Sequence, residues 1–392
     1  MKNVLDIFKN IFENIDKKYL YIGGGFIGLM LFATIFGACN QGSGGGIVVK
    51  NYEDIKAVMV EAAQKYYEDN QIYLPSVGEK TQITDKALTS QGYMKDLSSY
   101  APKDVECSGK VVLTRLDRYE NSFVAFLDCG EAFTELALYE TILEENPITE
   151  SGNGLYEMGD LKVFRGEPKN NYVQINDRLY RVLSIDKNNN ITVLYEQRVD
   201  RRRDNYLDVT YHWDDRLNNE KMELIGINEF ELSRFKDILI ELSNNEQLIT
   251  EELKPTLVKR NLCVGKIDLT DEVIDNSLEC SLLSNDQYYV GALTASEIIR
   301  ASLDPDCDKM NAINCINYNF LLDKSNTFWS LTATKANTYQ LITTGSKGLS
   351  LSDARNYYRF KPTLVLGNTT VKLKGDGTID NPYVILKETG KK

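Results

Sequence analysis

The residues best suited to chemistry are few and scattered along this chain of 392 residues. His212 is the single histidine, so the imidazole on which zinc sites and Ser–His or Cys–His machinery depend is supplied at one point only. Beside Trp213 it reads as an ordinary packed or surface residue. Asp304, Asp306 and Asp308 alternate as calcium ligands do, but Lys309 follows, and the glycine and closing glutamate of an EF-hand loop are missing. Asp376 and Asp380, in Gly-Asp-Gly-Thr-Ile-Asp-Asn, read as turn formers. Acidic residues abound, yet no spacing singles out the carboxylate pair of a glycosidase. The sequence therefore assigns no catalytic residue, no metal ligand and no cofactor.

Cysteines and aromatics carry more information. Cys39 stands at the end of an apolar run, and the other six fall into neighbouring pairs: Cys107 and Cys129, Cys263 and Cys280, Cys307 and Cys315. An even number beyond a membrane segment reads as disulfides in an oxidising compartment. The sequential pairing is an expectation that rests on the short loops it closes. No CxxC occurs, which weakens zinc and thioredoxin-type redox readings. Tyrosine accounts for 23 residues. Tyr288, Tyr289, Trp329, Tyr357 and Tyr358 are the candidate ligand contacts, because such rings stack on sugars and dominate protein contacts. The alternative is that they fill a β-rich core.

The element that positions everything else is Tyr19–Ala38, an uncharged run long enough for a helix of about 30 Å, the thickness of a hydrocarbon core. Lys17 and Lys18 precede it and no basic residue follows until Lys50, which predicts a cytoplasmic N-terminus, a single pass, and C-terminal domains outside the cell. The lipid bilayer is thus the first expected partner. Residues 1–18 space Val4, Leu5, Phe8, Ile11, Phe12 and Ile15 on one face, as a cytoplasmic amphipathic helix would. Gly24 and Gly28 form a GxxxG through which the span could pair into a homo-oligomer. Phe36-Gly37-Ala38-Cys39 resembles a bacterial lipoprotein cleavage box, with Cys39 as the lipidation site. Phe36 stands where such boxes prefer leucine, and the leader is long, so an uncleaved anchor is the reading taken.

The formal charge of −12 argues against nucleic acid, whose phosphates need a basic face. It argues equally against an anionic cell-wall polymer held by charge alone. Beyond the Gly/Ser-rich linker of residues 39–50, Ile55, Met59, Ala62, Ala63 and Tyr66 predict a helix over 52–69. Thr84 caps a second, short helix. Strands at 110–114 and 122–127 make a hairpin that sets Cys107 opposite Cys129. Residues 146–154 are rich in Pro, Ser, Gly and Asn and mark a boundary. Short strands follow from 173 to 194, with the turn at 187–190 between two of them. Arg198–Arg203, diluted by Asp200 and Asp204, reads as a solvated turn. Residues 211–300 read as helical segments, the strongest at 229–242, with a capping box at Thr294 and Glu297. The remainder is β-rich, with strands at 328–332, 338–343, 360–366 and 383–386.

Two resemblances emerge from these patterns. The order of span, "EAAQKYYEDNQIYLP" helix, "ITDKALTSQGYMKDL" helix and "CSGKVVLTRL…FVAFLDCG" hairpin resembles the globular head of type IV pilins and type II secretion pseudopilins. It implies a pilin-head-like module at 51–145; the Gly-rich break after the span departs from that family, so polymerisation is not carried over. The motifs "NNYVQINDRLYRVLSID", "YYVGALTASEI", "FWSLTA" and "YYRFKPTLVL…KGDGTIDNPYVI" resemble a domain of unknown function in Gram-positive surface proteins. Its fold is similar to C-type lectins and the formylglycine-generating enzyme superfamily. The expectation is therefore an α+β protein: one transmembrane helix, a pilin-head-like module, then a C-type-lectin-like domain at 154–386. Its expected role is binding or structural, toward a glycan or protein ligand. An envelope enzyme acting on glycans or proteins is the main alternative, and a pseudopilin-like part of a secretion or DNA-uptake assembly the other.

Overall fold

A computed structural model describes residues 51–385 apart from 78, 116–117, 120, 269, 272–275, 308–317, 323–325 and 346–347. The expected cytoplasmic helix, span, linker, Cys39, Asp308 and Cys315 lie outside the described residues. Among those described, no helix is long and apolar enough to cross a membrane. The fold is mixed α and β, with few helices and many strands.

Helix α1 spans Tyr52–Asp69 and starts where the Asn51 side chain accepts a hydrogen bond from the Asp54 amide at 2.9 Å. Its buried face is Ile55, Met59, Ala62, Ala63, Tyr66 and Tyr67, the periodicity read from sequence extended by one tyrosine. That face covers an antiparallel sheet of β1 (Lys80–Thr84), β2 (Ser108–Arg115) and β3 (Asn121–Asp128) in that order. Helix α2 (Asp85–Ser90) follows β1, and the Thr84 hydroxyl accepts from the Ala87 amide as expected. Alternation divides the sheet. Ile83, Val111, Leu113 and Ala125 are buried beneath α1, while Lys80, Thr114 and Ser122, paired in register, point from the opposite face.

Ser108 pairs with Asp128, so the residues flanking them meet, and Cys107 and Cys129 form a disulfide. A second joins Cys263 and Cys280. Cys307 is also disulfide-bonded, while its expected partner Cys315 lies outside the described residues. Replacing Cys107 and Cys129 by serine is expected to lower stability by about 3 kcal/mol, from the chain entropy released to a loop of that length. Urea denaturation of the oxidised variant and wild type measures this; equal midpoints would refute it.

Helix α3 (Leu138–Glu145) lies at the end of the expected 51–145 module, yet Leu138 and Ile142 are fully buried in one hydrophobic core with residues of the larger region that follows. Two further ties are the pairing of Leu136–Ala137 with Val371–Lys372, and a 2.5 Å hydrogen bond from the Tyr383 hydroxyl to Glu145. From Asn51 onward the described residues form one compact unit.

The larger region is built on two sheets. The first runs Gly291–Ala292, Pro362–Leu366, Ile191–Arg198, Arg178–Ile185, Leu161–Arg165 and Gly154–Met158, with Tyr172–Ile175 and Tyr383–Val384 attached at the side. The second runs Tyr211–His212, Tyr357–Phe360, Phe328–Ala333, Gln340–Gly345 and Gly348–Asp353. Arg178–Ile185 is buried at all but one position, its two arginines included: Arg178 pairs with Asp204, and Arg181 donates to the Asn171 side chain and the Pro168 carbonyl.

The expectation of helices through 211–300 is corrected. Among the described residues there, only α4 (Arg234–Ser243) and α5 (Ala295–Arg300) are α-helical. Strands occupy Arg260–Cys263 and Leu283–Tyr288, paired with each other beside the Cys263–Cys280 bond. Their partners are distant in sequence, so no local period announces them. The capping box is as expected: Thr294 accepts from the Glu297 amide and Glu297 from the Thr294 amide.

Candidate functional site

The residues singled out from sequence do not converge. His212 lies at the surface, its ring bonded to the Arg355 carbonyl and 4.8 Å from the Tyr357 ring. Asp304 caps the Asp306 amide at 3.0 Å, and Asp376 accepts from the Thr378 amide and hydroxyl. Both are turn contacts within a few residues. Among the described residues no group of three or more His, Cys, Asp or Glu could hold a metal.

The aromatics split in a way that strand geometry explains. Tyr288 and Trp329 are each 1% exposed and present no face to a ligand. Trp329 donates its indole N–H to the Tyr211 carbonyl at 2.9 Å and meets Tyr358 edge-on at 5.0 Å. Tyr357 is exposed, but its ring is engaged with His212. Tyr289, half-buried, is the one that borders a large open space. Tyr288 ends its strand in the core and Tyr289 lies just beyond the strand's end at the surface, while Tyr357 and Tyr358, neighbours within one strand, divide into a surface ring and one packed against the core.

The space beside Tyr289 is a cleft of about 1050 Å³. One wall is the uncovered face of the three-stranded sheet, with Lys80, Thr114 and Ser122 in a row across β1, β2 and β3. The other is assembled from the turn at 187–190, the segment 255–259, Gln287 and Tyr289, and the loop 367–369. Asp186 fixes the turn by accepting from the amides of Asn188 and Asn190, both at 2.8 Å, and Asn189 takes the positive φ of 61° it requires. Asn368 bridges the walls: its amide donates to the Asn188 carbonyl at 2.9 Å, and its oxygen accepts from the Lys80 ammonium at 2.5 Å. A smaller hollow of about 190 Å³ shares Lys80, Asn189 and Asn368.

The cleft's charge is opposite to that of the chain. Four cations, Lys80, Arg115, Lys187 and Lys259, line it against one carboxylate, Glu79, in a protein of net charge −12. Lys259 lies 4.8 Å over the Tyr289 ring. Arg115 donates to the Pro75 carbonyl at 2.9 Å. Burial pushes the Lys80 ammonium below its ordinary pKa, partly offset by Asp186. Amides and hydroxyls make up most of the remaining lining.

The arginine cluster at 198–203 borders a second space of about 430 Å³, but acids answer it there. Asp204, fully buried, pairs with Arg178 at 2.7 Å, and Arg198 is held by Asp177 and Asp200. No paired carboxylates line the large cleft. Glu279, the carboxylate whose pKa burial raises, is 0% exposed and lines none of these spaces. Comparison with family models, curated proteins and solved structures returns no match.

Proposed function

We propose that the chain is a single-pass, membrane-anchored bacterial surface protein that holds an extended polar ligand outside the cell. The cleft between the three-stranded sheet and the larger region is the binding site. Its size carries this reading: about 1050 Å³ is room for several sugar rings or an extended peptide, and it is lined by amides, hydroxyls and one aromatic ring. The absence of a carboxylate pair from its lining favours recognition over hydrolysis. The two disulfides fit an oxidising compartment, and the apolar run at 19–38 supplies the anchor. A helix on a three-stranded antiparallel sheet with a bridged hairpin fits the pilin-head-like reading of 51–145. The two-sheet region that follows is read as C-type-lectin-like.

The test is a screen of the full-length chain in detergent micelles against neutral and charged oligosaccharides, with each bound ligand followed for hydrolysis. Saturable binding without turnover, weakened at least tenfold by Tyr289→Ala with an unchanged melting temperature, is the expected result. Turnover, or binding indifferent to that substitution, would contradict it.

A further inference from the structure

We infer that the ligand of this cleft is an anionic, hydroxyl-rich polymer, recognised by Lys80, Arg115 and Lys259 in its lining. The inference rests on the cleft being the binding site, and names the class of ligand it takes. Three observations carry it.

The first is the sign of the charge. Cations outnumber carboxylates in the lining by four to one, although acids outnumber bases in the whole chain, 57 to 45. A solvated surface of random composition would be acidic here. The basic concavity is a local inversion, and low-dielectric walls focus its field on an incoming anion.

The second is how these cations are partnered. Only Lys187 among the four makes an ion pair among the described residues, with exposed Asp160 at 3.5 Å. Lys80 is the telling case. It is half-buried, and its ammonium is held by a neutral amide oxygen of Asn368 rather than by an acid. Sequestering an ammonium with no acid in contact, and only the more distant field of Asp186 to offset it, is costly, and an anion brought by the ligand recovers that cost. The arginines at 178 and 198 provide the contrast within the same molecule: each already has its aspartate. One pocket is neutralised from within; the other is left to be neutralised from outside.

The third is the company the cations keep. Asn188, Asn189, Asn368 and Gln287 offer amide donors and acceptors suited to hydroxyl groups. Asn190 Oδ1 is buried with no partner of its own. Tyr289, backed by Lys259, gives one ring face. A single ring among many amides suits a polyhydroxylated chain better than a strand of stacked bases, which needs successive aromatic platforms. The charge on the polymer can be carboxylate or phosphodiester, and the experiment distinguishes them.

The full-length chain in micelles is titrated with polygalacturonate, its fully methyl-esterified form, poly(glycerol phosphate) and oligothymidylate. Binding to polygalacturonate or poly(glycerol phosphate), at least tenfold tighter than to the ester and weakened by added salt, is the expected result. Preference between those two polymers assigns the charge. Lys80→Met, which keeps the aliphatic stem, is expected to lose about tenfold. Lys259→Met, at an exposed position with no fold to disturb, is expected to lose several-fold. Equal affinity for polygalacturonate and its ester, unaffected by either substitution, would overturn the anionic ligand while leaving the cleft as the site. Failure of all four polymers to bind would overturn both. Tightest binding to oligothymidylate would replace the polysaccharide by nucleic acid.

Discussion

Trp329→Ala is expected to lower the unfolding free energy by about 3–5 kcal/mol, the range for truncating a large buried aromatic. The indole is 1% exposed and lies at the junction of several elements. Its strand, Phe328–Ala333, runs parallel to Tyr357–Phe360 on one side and antiparallel to Gln340–Gly345 on the other. Its ring meets Trp213 edge-on at 6.3 Å, and Trp213 stacks on Phe235 of α4 at 4.2 Å. Removing it opens a cavity among groups fixed by three other rings, which cannot collapse to fill it, and leaves the Tyr211 carbonyl without its donor. Urea denaturation of the variant reads the loss directly. A change below about 1 kcal/mol would show that the ring is not the core element described. The same argument bars this substitution as a probe of binding, because any loss of affinity would be a loss of fold.

Glu279→Ala is expected to be comparably damaging, by about 3–5 kcal/mol, through unmade hydrogen bonds rather than lost packing. Its carboxylate accepts from the Ser296 amide at 3.1 Å, the Thr332 hydroxyl at 2.7 Å and the Ser296 hydroxyl. It thereby joins the start of α5 to the central strand and to the disulfide at Cys280. Alanine strands all three donors in a dry site. Burial raises the pKa of Glu279, against the opposing effect of those hydrogen bonds. With the folded pKa above its ordinary value of 4.5, the native state holds this proton more firmly than the unfolded chain. Stability from this group is greatest at acid pH below that value, and falls as pH rises through the folded pKa. Glu279→Gln keeps an acceptor for the Ser296 amide and Thr332, and an N–H to donate to Ser296. It is expected to stay within about 1 kcal/mol of wild type and to remove this fall, so that wild type loses ground to the variant as pH rises through the folded pKa. A stability difference between wild type and variant that does not change with pH would refute the titration assigned here.

Local signals in the sequence were sufficient for the elements that obey local rules. Thr84 and Thr294 cap helices because their short polar side chains reach back to free amides. The stripe from Ile55 to Tyr66 announces α1, and the run of alternating residues around Val111 and Ala125 announces the hairpin. What long-range register decides was not legible. Lys80, Asn188, Lys259, Tyr289 and Asn368 come from five separate segments, and only the packing of the three-stranded sheet against the larger region brings them to one cleft. A net charge of −12, read as a whole, pointed away from anionic ligands because summation hides where the cations gather. Tyr357 and Tyr358, by contrast, were separable in advance: in a strand, neighbours cannot face the same side.

The most direct test of the account is hydrogen exchange by mass spectrometry on the full-length chain, alone and saturated with an oligogalacturonate. The account predicts slowed exchange in the segments around 80, 187–190, 255–259, 287–289 and 367–369, with none gained around His212 and Tyr357. Protection confined to the His212–Tyr357 surface, or binding with no protection along the cleft, would contradict it.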